Sequence, residues 1–336
     1  MILNYNKIER GYFTPSLPYL LIGKDERSHL GNSLILIQLR SSIYFFMKKY
    51  MTNTLPTIIA GCFFILFCSC SEKEITPGSI PPPVNNKPVD KEWAFETTPF
   101  WFDEFDYSGL PNSDKWGYDI GGDGWGNNEL QYYSNNINNA SVANGILTIT
   151  ARKENMNGRE YTSARLTSKN KGDFLYGRIE VKAKLPTGKG TWPAIWMLPT
   201  DWAYGGWPKS GEIDIMEHVG YDQNKVHISV HTEAYNHSIG TQRSANKIIP
   251  GVSTDFHIYR IDWTPYSIKG FIDGEQIFQF INEGKGAAVW PFDKRFHLLL
   301  NLAFGGNWGG AQGIDPTVIP QQMDIDYARV FKMIEK

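Results

Sequence analysis

Residues 178–185 read Arg-Ile-Glu-Val-Lys-Ala-Lys-Leu, with charged and apolar side chains in strict alternation. Strand side chains change face at every residue, so this segment fits a β-strand with one wet and one buried face. Similar short segments, bounded by Gly, Asn or Asp, recur along the chain. Strands are expected at 147–152, 194–198, 226–232, 257–263, 297–303 and 325–332. Asp273-Gly274, between apolar runs within 268–280, predicts a hairpin. No long stretch repeats with a period of 3.6, so helices should be minor. About a dozen short strands in one domain bury their apolar faces best as two packed antiparallel sheets, an all-β jelly-roll sandwich. A curved sheet of that kind offers a concave groove suited to a chain-shaped ligand.

Residues 211–218 read Gly-Glu-Ile-Asp-Ile-Met-Glu-His, which places Glu212, Asp214 and Glu217 inside an otherwise apolar strand-like run. Burying one carboxylate costs several kcal/mol unless it is compensated or used. In a regular strand Glu212 and Asp214 share a face and Glu217 points the other way. One extra residue near Ile215–Met216, a β-bulge, would bring Glu217 back to the face of the other two. Two glutamates would then flank one spot with an aspartate between them. A retaining glycosidase needs such a pair, with carboxyl groups roughly 5–5.5 Å apart.

Lys+Arg 33 against Asp+Glu 35 leaves the chain almost neutral, which gives no reason to expect a nucleic-acid partner. Aromatic residues make up 14% of it, including 11 Trp, a side chain that can stack on sugar rings or fill a core. The three cysteines, Cys62, Cys68 and Cys70, all precede position 71, so the folded part has no disulfide, thiol nucleophile or His/Cys metal site.

From Met47 a basic start is followed by a short apolar stretch, residues 58–67, and by Cys68-Ser69-Cys70-Ser71. This describes a secretory signal, 47–70, too short for a stable membrane span. Its end resembles a bacterial lipobox, which implies acylation of Cys70 and an exported lipoprotein held at a bacterial outer membrane or cell surface by lipid alone. Residues 1–46 have no place before such a signal and read as a mis-assigned upstream extension. Residues 71–92, with Pro81-Pro82-Pro83, read as a solvated tether. The domain is expected over 93–336, as a monomer.

The acid run 212–217 resembles the signature of family 16 glycoside hydrolases. So do 127–133 (Asn-Asn-Glu-Leu-Gln-Tyr-Tyr), 190–198 (Gly-Thr-Trp-Pro-Ala-Ile-Trp-Met-Leu) and 301–306 (Asn-Leu-Ala-Phe-Gly-Gly). The resemblance covers nearly all of 100–331, in the family's order. The extra Met216 is similar to the bulged branch of laminarinases, agarases and carrageenases, and the aromatic stretches look most like bacterial laminarinases. The resemblance implies a concanavalin-like jelly roll acting on β-1,3-glucan, with Glu212 as nucleophile, Glu217 as acid/base and Asp214 in support. It also implies that Trp196 stacks on the sugar next to the cleavage point and that Trp192 lines the groove. Asn127 and Arg165 would hydrogen-bond sugar hydroxyls, although a structural salt bridge is a rival reading for Arg165. His231 and Asn301 are placed on cleft strands, and Trp308 and Trp125 are rim candidates. Catalysis would need no cofactor. A structural Ca²⁺ on the convex side would be held by Glu104, the Gly145 carbonyl and Asp326.

Other readings keep the same scaffold: cleavage of mixed-linkage β-glucan or of an agar- or carrageenan-type galactan, or sugar binding without catalysis. No basic cluster near the acids favours a sulfated galactan, and a lectin could dispense with both glutamates.

Overall fold

The segment with strict alternation becomes the strand Gly177–Lys184, whose residues are buried and half-exposed by turns along its whole length. It pairs antiparallel with His257–Trp263 on one side and Gln321–Phe331 on the other. The computed structural model describes residues 88–336. The segments expected to be an upstream extension, a signal ending at Cys70 and most of a tether lie outside the described residues.

Two sheets carry the fold. One runs in the order Glu275–Ile281, Ser267–Ile272, His257–Trp263, Gly177–Lys184, Gln321–Phe331, Ile146–Met156, Arg159–Ser163, Gln131–Tyr133. The other runs Arg243–Ile248, Lys225–His231, Glu212–His218, Thr191–Pro199, Phe296–Phe304, Arg165–Thr167, Gly117–Tyr118. Their inner faces share one core. Ile179, Val181, Ile261 and Ile325 come from the first sheet; Ile213, Met216, Ile228 and Leu300 come from the second. Each such side chain, fully buried, contributes about 1.5–3 kcal/mol. Among the described residues helix is limited to two short 3-10 turns, His237–Ile239 and Pro316–Val318.

Every strand expected from the sequence is present, and Asp273-Gly274 closes the hairpin between Ser267–Ile272 and Glu275–Ile281. The described residues hold twenty strands rather than about a dozen. The surplus includes Ala94–Phe95, Trp101–Asp103, Gly117–Tyr118 and Asp173–Phe174, which are too short to display a period of two. One pairing departs from the antiparallel expectation: Gln131–Tyr133 runs parallel to Arg159–Ser163.

Phe296–Phe304 is an inner strand of the second sheet, beside Thr191–Pro199, and is buried along its whole length. Phe296, Leu298, Leu300 and Leu302 enter the core, so the intervening Asn301 faces the opposite side. That side is covered by the segment around Gln131–Tyr133: Leu130 N–H donates to Phe304 O (2.9 Å), and Phe304 N–H donates to Gln131 Oε1 (2.8 Å).

Just beyond Glu212–His218, Gly220 N–H donates to Thr191 O at 3.0 Å and ties the end of that strand to its neighbour. A Cβ at position 220 would sit 1.9 Å from the Gly188 carbonyl oxygen and 2.4 Å from Thr191 Oγ1. Gly220→Ala should therefore force two backbones apart and cost about 1–3 kcal/mol. Urea unfolding should show a lower midpoint with an unchanged slope; a wild-type midpoint would contradict this close approach.

Candidate active site

The bulge lies where the sequence places it. Glu212 is opposite His231 and Asp214 opposite Ser229, but Glu217 is opposite His227. The acid strand thus advances three residues while its partner advances two, leaving one extra residue between Asp214 and Glu217. The same slip appears against Thr191–Pro199, where Ile195 faces Met216 and Trp196 faces Asp214. His231 and His227 are four apart on an unbroken strand and share a face, so Glu212 and Glu217 share one too. Ile213, Ile215 and Met216 are fully buried and pin the bulge from the core side. His218 follows onto that inner side, where burial pushes its pKa down to about 4.

Each glutamate is held by an indole. Trp207 Nε1–H donates to Glu212 Oε2 at 2.9 Å, and Trp192 Nε1–H donates to Glu217 Oε1 at 3.1 Å. One oxygen of each carboxyl group is thereby fixed. His231 Nε2 lies 3.2 Å from Asp214 Oδ2 and 3.8 Å from Glu212 Oε1. Burial is the main cause that raises all three acids above the ordinary carboxylate range. The charge of Asp214 raises both glutamates further, while the indole donors and His231 pull them back. Glu212 and Asp214 are close enough to share a hydrogen bond when one of them is protonated. The ligating atoms of Glu212, Asp214 and His231 lie within 4.8 Å of one another. Among the described residues this is the one His/Asp/Glu group with the spacing to grip a metal ion. Sequence spacing concealed it, because His231 joins through strand register.

A second cluster flanks the acids. The Arg165 guanidinium lies 4.7 Å from the Trp125 ring and 4.7 Å from the Trp196 ring, within cation–π range of both. Its Nε pairs with Asp119 Oδ2 at 2.9 Å, which holds the guanidinium in place between the two rings. Trp196 Nε1–H donates to Asn301 Oδ1 at 2.7 Å, and Asn301 Nδ2–H donates to the Tyr133 hydroxyl at 3.0 Å. The Asn301 amide is therefore engaged at both ends by protein. Asn127 Nδ2–H donates to Glu129 Oε1 at 3.3 Å. Trp308 packs edge-on against Trp192 (5.6 Å) and His227 (4.9 Å), beside Glu217.

The calcium set does not fit as arranged. Glu104 forms a two-pronged pair with Arg329, at 2.7 Å for both contacts, and Asp326 Oδ2 pairs with Lys182 Nζ at 2.8 Å. Both carboxylates already neutralise cationic side chains that an ion near the Gly145 carbonyl would have to displace.

Sequence reasoning missed Trp207, Asp119, Glu129 and Tyr133. Trp207 sits in a Gly-Gly-Trp-Pro loop with no periodicity to place it. Glu129 and Tyr133 were visible inside the 127–133 motif, where an acid beside Leu130 and two tyrosines already suggests burial.

The geometry agrees with what known proteins show. The sequence profile described as "Glycosyl hydrolases family 16" matches residues 127–329. A beta-glucanase of Rhodothermus marinus is 54% identical over 243 residues, covering 70% of this chain and 85% of the relative. A glucan endo-1,3-beta-glucosidase of Cryptopygus antarcticus is 39% identical over 233 residues, covering 65% and 84%. The X-ray structure of the laminarinase from Rhodothermus marinus superposes with a TM-score of 0.71 at 52% identity, covering 72% of this chain and 99% of that one. With two indole-held glutamates on one face of a bulged strand, the chain belongs to family 16 of the glycoside hydrolases.

Proposed function

We propose that this chain is an endo-acting β-1,3-glucanase that works by double displacement with retention. The observation that carries the reading is the placement of Glu212 and Glu217 on one face, each with one oxygen held by an indole N–H. Two charges about 5.5 Å apart at an effective dielectric of about 20 repel by roughly 3 kcal/mol, or about two pKa units. One of the pair therefore keeps its proton near neutral pH. Glu217 donates that proton to the glycosidic oxygen as the C1–O bond breaks, and the Glu212 carboxylate attacks C1. The Trp207 N–H favours the charged form of Glu212, and a proton held on Asp214 can do the same across their shared hydrogen bond. Esterification removes the Glu212 charge, the pKa of Glu217 falls, and Glu217 accepts a proton from water. That water attacks C1 and frees Glu212.

The glucan would lie along the outer face of the Thr191–Pro199 strand, over Trp192 and Trp196 and past the Trp125–Arg165 stack. The reading includes export and lipid anchoring through Cys70, which suits an enzyme that meets a polymer outside the cell.

Incubation with laminarin, barley mixed-linkage glucan, agarose and carrageenan, followed by a reducing-end assay, should give the highest rate on laminarin. Cleavage of a galactan alone would refute the glucanase reading. Glu212→Gln and Glu217→Gln should each lower kcat by about 10³-fold or more with the fold intact; near-wild-type turnover in either would overturn the roles.

The same acids make stability depend on pH. Folding raises their pKa values, so between the ordinary value near 4.5 and the raised one the folded chain binds more protons than the unfolded chain. Their contribution is most favourable below that window and is lost as pH rises through it. Glu212→Gln should therefore raise the melting temperature by about 2–4 °C at about pH 8, with a gain shrinking toward zero near about pH 4. An equal gain at both pH values would contradict the raised pKa.

Radiolabelled palmitate should appear on the exported wild type and not on Cys70→Ala; label remaining on the variant would exclude that anchor site.

A further inference from the structure

Glu129 is a buried carboxylate with no part in the chemistry above. It is 6% exposed and accepts three hydrogen bonds: from Gln131 Nε2 at 2.6 Å, Tyr133 OH at 3.2 Å and Asn127 Nδ2 at 3.3 Å. An isolated bridge to Gly305 fixes its backbone against the end of the Phe296–Phe304 strand. We propose that Glu129 is a positioning residue for the sugar platform, acting through Tyr133 and Asn301 on the indole of Trp196. The proposal rests on the glucanase reading and extends it.

The argument is one of hydrogen-bond direction. Burial raises the Glu129 pKa, while the Gln131 and Asn127 amide donors and the nearby Arg165 charge pull it back toward the charged form. In that form the carboxylate only accepts, so the Tyr133 hydroxyl proton points at Glu129. The phenolic oxygen is then left as an acceptor toward Asn301 and receives Nδ2–H at 3.0 Å. That fixes which way the Asn301 amide faces, with Oδ1 turned to accept Trp196 Nε1–H at 2.7 Å. Without the carboxylate, the hydroxyl could donate to Asn301 Oδ1 instead. The amide would flip, its NH₂ would confront the indole N–H donor to donor, and Trp196 would lose its anchor. Asn301 is 6% exposed and Tyr133 is fully buried, so water is poorly placed to repair the mismatch. On its other side Trp196 meets Arg165, which Asp119 holds. The indole is thus set from two directions, and Glu129 terminates one of them.

Glu129→Gln offers an amide to three donors, and Tyr133→Phe removes the relay hydroxyl while keeping the ring. Each should raise KM for laminarin about 5–20-fold and change kcat less than about threefold. In a Trp196→Phe background, which has no indole N–H to orient, Glu129→Gln should add no further change in KM. A KM within about twofold of wild type in both single variants would overturn the proposal, as would KM effects that multiply fully in the double variant. If Glu129→Gln does not fold, Tyr133→Phe carries the test alone.

A readout independent of turnover keeps the two readings apart. The Trp196 indole N–H resonance, assigned by its loss in Trp196→Phe, should shift in both Glu129→Gln and Tyr133→Phe. An unmoved resonance sinks the relay even if laminarin is cleaved. A moved resonance with no laminarin cleavage by wild type sinks the glucanase reading and leaves the relay standing.

Discussion

The site depends on one extra residue in one strand. Without the bulge between Asp214 and Glu217, strand geometry would send the second glutamate into the core beside Ile213 and Ile215. The bulge is held by packing: Ile215 and Met216 are consecutive yet both fully buried, which a regular half-exposed strand does not permit. The catalytic geometry and the hydrophobic core are therefore one constraint read from opposite faces. A smaller residue at 216 would loosen the position of Glu217 without touching it.

The strand next to the bulge does complementary work. Thr191–Pro199 follows the slip and brings Trp192 to Glu217, while Trp196 lies opposite Asp214. Indole N–H groups suit this task because they donate and never accept, so each favours the charged carboxylate without offering it a proton. Burial acts the other way and raises the same acids. The opposing pulls keep a proton on part of the cluster while leaving a nucleophile available. The folded chain bears the resulting strain as charges gathered in a dry groove, an arrangement that favours reactivity over stability.

Legibility in the sequence followed the physical source of each feature. Segments such as 178–185 and 257–263 declared themselves because half-burial writes a period of two into the chain. The bulge was readable because Glu212 and Glu217 make sense on one face only if a residue is added. Strands of two or three residues, such as Gly117–Tyr118, were invisible because their pairing is imposed by neighbours rather than by their own pattern. Trp207 was missed for a related reason, since it reaches Glu212 from a loop with no periodicity. Arg165 shows that a residue type can be found before its partners are: Asp119 and the two indoles that meet its guanidinium are a tertiary fact. Glu104 and Asp326 likewise meet cations, from Arg329 and Lys182, that no local pattern announces.

The link between Tyr133 and Asn301 spans 168 positions. The hairpin bearing the acids joins neighbours such as Glu217 and His227, whereas the anchor under Trp196 needs a strand near the chain's end. Yet the bulge that aligns the reactive pair packs into the same core as Leu298, Leu300 and Ile325, so it too waits for distant strands. Reagents and bench are thus put together in one step, because the same late strand closes the core behind the acids and anchors the platform beside them.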